Sequence, residues 1–276
     1  MKGLTYALRA EAFRLRKSRA TWWSLLFLLA LAAARVFVAH VAATLDGPPS
    51  GERSGTGWGP LVDGWRTALS AASLLLLMHA ARTIAADRES GVLRTSLTRA
   101  SSRAATAFAR ALLAVPIVLV SFAAAGLGAF LAARAFFDFG PLVEDGYVLL
   151  TAEELRAELW SCALATLPAL VAVYAFGLAL SGCVRSPVLA LSASLSLFLA
   201  FDLFKEAIGE AQFWVFASFA PSFVDGSALS EMSGVARGFS DAGYPDRLLE
   251  LSFVMPTIQA LLFVGLACLG VSRRAA

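Results

Sequence analysis

Charge is scarce in this chain: 16% of its 276 residues are Asp, Glu, Lys or Arg, against roughly a quarter in an ordinary soluble domain. So little polar surface cannot cover a water-soluble globule. Lysine is scarcer still, limited to Lys2, Lys17 and Lys205, and no GxxxxGK[ST] stretch occurs; the chain therefore cannot hydrolyse ATP by P-loop chemistry. The two histidines, His40 and His79, lie in different apolar segments near opposite membrane faces. They cannot jointly ligate a metal, and neither belongs to a GxSxG or HExxH pattern, which disfavours an intramembrane protease. Cysteine is limited to Cys162, Cys183 and Cys268, in or beside apolar segments and without CxxC spacing. That odd count gives no disulfide framework and no zinc site, and the three read as small packing residues. A net charge of +3 does not point to nucleic acid.

What is abundant is apolar. Hydrophobic residues make up 58% of the chain, collected in blocks rather than in the period-2 or period-3.6 mixtures of half-buried elements. A spanning helix needs about 20 mostly apolar residues. Six stretches qualify: Thr21 to Ala43, Thr67 to Ala86, Ala111 to Ala133, Leu159 to Leu180, Val188 to Phe204, and Leu251 to Val271. The fifth is the shortest and is expected to extend past Asp202 or to tilt. Alternation of the porin kind is absent, and backbone groups in lipid must be satisfied within their own segment, so the spans are helices. The expected fold is an all-α polytopic membrane protein, a single transmembrane domain over residues 1–276.

Orientation follows from the connections. With the amino end inside, the inner segments hold Lys2, Arg9, Arg14, Arg16, Lys17, Arg19, Arg82, Arg88, Arg94, Arg99, Arg103, Arg110, Arg185, Arg273 and Arg274, but of the acids only Glu11, Asp87 and Glu89. Both ends are thus expected in the cytoplasm, in a multi-pass protein of the cell inner membrane. A cleaved signal peptide is disfavoured because the first apolar run outlasts a typical h-region of about 7 to 15 residues. Residues 1–20 instead read as a helix on the inner surface: Leu4, Leu8, Ala12 and Leu15 share an arc opposite the basic residues, with Glu11 on the wrong side, and Trp22 and Trp23 mark the headgroup level.

Outside, Leu45 to Gly64 reads as an irregular loop rich in Gly, Pro and Ser. TAEE at Thr151 to Glu154 has capping-box spacing and starts the fourth helix before Trp160. Between the last two spans, Phe213, Trp214, Phe216, Phe219 and Phe223 around Pro221 read either as one or two short helices lying in, or dipping into, the outer interface or as an aromatic belt anchoring the sixth span. Ala124 with Gly128 and Gly177 with Ser181 suit close helix packing, and Pro116, Pro168, Pro187 and Pro256 suit bends. Arg35, Asp202 and Glu250 fall in the outer half of spans or beside them. Ionisable groups there are costly, so Arg35 is expected to pair with Asp202 or Glu250, as a structural lock or as part of an outer gate.

The most informative stretch is the inner connection after the second span, with AADRESGVLRTSLTRASSR between Ala85 and Arg103. An acidic, Gly-containing segment, a Leu-rich turn and an Arg at this place resemble the permease subunits of ABC transporters of the second export type. The basic surface helix, the six spans and the short outer helices agree with that resemblance, although many members carry Pro where this chain has Ala100 and Ser101. The resemblance implies a coupling segment over residues 87–105, with Asp87, Glu89, Gly91, Leu93, Arg94, Arg99 and Arg103 at or near a separate cytoplasmic ABC ATPase subunit. It implies two such ATPase copies, ATP and Mg held by them with no cofactor on this chain, a second permease copy as a homodimer partner, surrounding membrane lipid, and a transport subunit that is not itself an enzyme. The competing reading is an ATP-independent carrier or a membrane scaffold. A carrier usually shows internal repeats and broken polar helices at the midplane, and neither is evident. Arginines that only obey the positive-inside rule and bind anionic lipid would explain the charge of the connection, but not Asp87, Glu89 and Gly91 within it.

Overall fold

Each of the six apolar stretches forms a helix in a computed structural model of the chain, which describes residues 2–45, 56–91, 102–144, 147–222, 224, 227–238 and 244–273. A surface helix comes first, α1 (Lys2–Lys17), followed at once by α2 (Arg19–Leu45), then α3 (Trp58–Glu89) and α4 (Arg103–Phe136). A short hairpin, β1 (Leu142–Glu144) and β2 (Tyr147–Leu150), leads into α5 (Ala152–Cys183) and α6 (Pro187–Phe204). Two 3-10 segments, Glu206–Trp214 and Phe216–Ser218, and the short α7 (Ala228–Ala236) precede α8 (Asp246–Arg273). Six of these helices, α2 to α6 and α8, are long and apolar enough to cross a membrane, so the chain is an all-α polytopic membrane protein apart from the hairpin.

The spans run longer than their apolar cores. With 32 residues, α3 is about 48 Å long, some 18 Å more than the hydrocarbon thickness of about 30 Å. Its extra length lies largely at the amino end, where the sequence suggests an irregular loop up to Gly64. Trp58, Leu61, Val62 and Trp65 recur at helical spacing and are all buried, and burying that stripe outweighs the helix-breaking tendency of Gly59 and Pro60. Proline in the first turn costs no hydrogen bond. The capping box expected at the start of α5 is present: the Glu154 N–H donates to Thr151 Oγ1, and the Thr151 N–H donates to the Glu154 carboxylate. The fifth span, α6, runs two residues past Asp202 and begins with Pro187 at a first-turn position. Pro187 therefore starts a helix, whereas Pro116, Pro168 and Pro256 lie within α4, α5 and α8.

The central pair is α3 and α5, the two spans with most of their residues buried; α2, α4, α6 and α8 surround them and turn apolar faces outward. Glycine makes two of the close crossings possible. A side chain at Gly128 would overlap the Leu29 carbonyl of α2, and one at Gly177 would stand 2.8 Å from the Leu77 carbonyl of α3. The aromatic segment before α8 forms short helices, as one reading has it, but Phe216 and Phe219 are buried against the bundle rather than spread on an interface. The Phe216 ring stands 5.4 Å from those of Phe176 on α5 and Phe263 on α8. Gln259 of α8 holds this turn, accepting from the Phe216 N–H at 2.7 Å and donating to the Trp214 carbonyl. Aromatic area this large is better buried against protein than left at a headgroup boundary. Trp214 alone keeps an exposed position there, and Phe223 lies outside the described residues.

Candidate functional site

Two polar networks stand at opposite ends of α3. The first occupies the end of the bundle that carries α1. Arg14, on α1, donates through both terminal nitrogens to Asp87 in the last turn of α3, at 2.7 and 2.8 Å. Arg110, in the second turn of α4, donates to Glu11 of α1 at 2.9 Å from Nε and 2.7 Å from Nη2, and also to Asp87. The four groups are balanced in charge. Arg110 and Asp87 are almost wholly buried, with side chains 4% and 6% exposed, whereas that of Arg14 is 53% exposed. The Asp87 carboxylate favours the charged form of Arg14 and raises its pKa. Nearby, Arg88 donates to the carbonyls of Val184 at 2.6 Å and Gly182 at 3.3 Å, at the end of α5. The Ser181 hydroxyl accepts from the backbone N–H groups of Ile84 and Ala85.

This network grips both stems of the connection expected to dock a partner, since α3 ends and α4 begins within it. After Glu89, the α3 carbonyl ladder is closed by Ser90 and by Gly91, whose φ of 72° lies in the left-handed region that favours glycine. Ser102 caps α4, accepting from the Ala105 N–H at 3.1 Å. Of the residues expected at the docking contact, Glu89 is exposed and Gly91 stands at the turn. Leu93, Arg94 and Arg99 lie outside the described residues, and Arg103 is the first residue of α4. Asp87 requires a correction: it points into the bundle and is the hub of the buried network, not part of a docking surface, because two arginines on neighbouring helices draw its carboxylate inward. Glu11, which breaks the amphipathic pattern of α1, breaks it for a reason: it faces Arg110. An acid inside a basic surface helix was the available signal, since Glu11 and Asp87 are two of the only three acids on the basic segments.

The second network stands near the other end of α3, around Asp63. Arg35 of α2 donates to Asp63 at 3.1 Å, Arg237 just after α7 donates to the same carboxylate, and Ser233 of α7 donates to it at 2.6 Å. Arg66 donates to the Ser230 hydroxyl at 2.7 Å. Arg35 therefore pairs with neither Asp202 nor Glu250, which corrects the expectation from depth alone. α2 packs on α3 and α4, so Asp63 is within its reach, and the sequence had assigned Asp63 to a loop. Asp202 is buried and served from its own neighbourhood, by Lys205 at 3.1 Å and the Ser222 hydroxyl at 2.6 Å. Glu250 is exposed.

Among the described residues, no group of three or more His, Cys, Asp or Glu side chains is placed to hold a metal ion. The first network joins three helices, α1, α3 and α4, through buried charge. No family model matches the chain, and no curated protein does.

Proposed function

We propose that the chain is the membrane-spanning subunit of an ATP-driven exporter of the second ABC export type, working as a pair of copies in a cell inner membrane with separate cytoplasmic ATPase subunits. The observation that carries this reading is the Glu11–Arg14–Asp87–Arg110 network. A connection that merely linked two spans would need no fixed stems. Here both stems and the surface helix are clamped by hydrogen-bonded buried charge, so a push on the turn beyond Gly91 moves three helices as one body. That is what a subunit without its own nucleotide chemistry requires in order to receive work from a partner. Closure of the ATPase pair biases the bundle between two packings through differential contacts at the turn.

The test has two parts. Gentle purification of the tagged chain from its native membrane should bring with it an ATPase of unrelated sequence, and the ATPase activity of that complex should depend on the chain. Gly91→Val, which forces a β-branched residue into a left-handed conformation at a cost of roughly 1–2 kcal/mol, should then lower coupled ATPase activity while the protein remains inserted. A chain that purifies alone and transports without nucleotide supports the ATP-independent carrier instead.

A further inference from the structure

An open cavity of about 640 Å³ lies between α3, α4 and α5, at the end of the bundle away from α1, within the size range of small-molecule sites. One wall is a stripe along α4, with Phe122, Gly126, Phe130 and Arg134 one turn apart. Trp65 of α3 packs on Phe122 of that stripe, ring centroids 4.9 Å apart, and meets Trp160 of α5 edge to face at 5.6 Å. Charge is confined to the mouth, where Arg134, at the end of α4, meets Arg156 and Glu153 from the first turns of α5. Neither arginine forms an ion pair among the described residues, and both are exposed. The lining between mouth and floor is almost wholly apolar.

We propose that this cavity binds an anionic amphiphile, with the chemistry of an acidic phospholipid from the bilayer. Arg134 and Arg156 take the anionic head group, and an acyl chain lies along Phe130 and Trp160. The order of groups along the cavity fits that chemistry. Arg156 lies one helical turn, about 6 Å, above Trp160 on α5, and Arg134 one turn from Phe130 on α4; head group and chain are thus met in sequence from the mouth inward. Two arginines against Glu153 leave a net positive mouth, which selects an anion, and their long stems reach headgroup level while covering apolar wall. The open side toward Leu127, which is 54% exposed, lets a second chain remain in lipid. This inference is independent of the transport reading, since it requires no ATPase.

Native mass spectrometry of the full chain in detergent, titrated with dioleoyl phosphatidylglycerol, phosphatidylcholine or oleate, tests it. One phosphatidylglycerol should saturate first, at least about tenfold tighter than phosphatidylcholine. R134Q/R156Q should abolish that preference. Ala123→Phe, at an exposed lining position where it cannot upset the core, should block the cavity to all three. Equal retention of phosphatidylglycerol and phosphatidylcholine by the wild type, or a preference that survives R134Q/R156Q, overturns the proposal. Tight oleate binding without phosphatidylglycerol binding overturns the assignment to a bilayer phospholipid and points to a free fatty acid.

Discussion

Replacing Asp87 by Asn keeps the shape of the hub and removes its charge. The consequences differ for its two partners. The Arg14 side chain is 53% exposed, so water takes over most of what Asp87 gave it, and exposed pairs contribute about 0–1 kcal/mol. Arg110 is 4% exposed and cannot be re-solvated without opening the helix contact. Its Nη1 already lacks a partner among the described residues, and Glu11 would then be its one remaining counter-charge among them. Removing one member of a buried pair costs about 3–5 kcal/mol; with Glu11 retained, the lower part of that range applies, about 3 kcal/mol. Arg14→Gln should cost about 1 kcal/mol or less, because it leaves Arg110 between two carboxylates. Reversible unfolding in mixed micelles, titrated with sodium dodecyl sulfate, measures both changes on the same scale. The reasoning fails if Arg14→Gln is as damaging as Asp87→Asn, or if Asp87→Asn costs under about 1 kcal/mol, since either result would mean that the buried contact to Arg110 contributes little.

Two further outcomes follow from the packing and from the second network. Exchanging charges in R35D/D63R should recover part of the stability lost in each single variant, whereas R35D/D202R should recover none, as read by thermal denaturation in detergent; recovery by the second pair would restore the pairing expected from depth. Gly128→Ala presses a methyl group on the Leu29 carbonyl and should destabilise by about 1–3 kcal/mol, while Gly265→Ala, which meets nothing within 4 Å, should be neutral or raise stability by about 0.5–1 kcal/mol. Equal behaviour of the two glycines in the same denaturation assay would contradict the close approach of α2 and α4.

The number and positions of the spans were legible because lipid makes a demand that composition answers directly: about 20 apolar residues, uncharged, with basic residues at one end. Their ends were less legible. Trp58 to Trp65 looked like loop because Gly and Pro sit among the aromatics, and only the surface they bury on neighbouring helices makes that stretch helical. The burial of the aromatic turn at Phe216 is hidden for the same reason, since its partners, Phe176 and Phe263, lie far from it in sequence. Buried ion pairs were the hardest to read. Depth along a helix does not reveal which neighbour it faces, so it offers Arg35 both Asp202 and Glu250, while Asp63 stands on the adjacent helix. Glu11 carries the information as an exception to its own helix, visible in the sequence, but its partner Arg110 is set by the packing of α1 on α4.

Both networks hold a buried acid on α3 between two arginines, and each ties to α3 a helix that does not span: α1 through Asp87 and α7 through Asp63. The two acids are 24 residues apart on one continuous helix, about 36 Å. Contacts at that distance with no shared partner add independently in stability, so Arg14→Gln combined with Arg237→Gln should lower unfolding free energy by the sum of the single effects, within about 0.5 kcal/mol. The proposed transport activity tests something else. If α3 carries displacement from the turn beyond Gly91 to α7, freeing either end disconnects the same rod, and freeing the second removes little more. The double variant should then transport about as poorly as the worse single variant. Additive stability together with non-additive transport would identify α3 as a mechanical link, whereas additive losses in both would reduce the two networks to separate structural anchors.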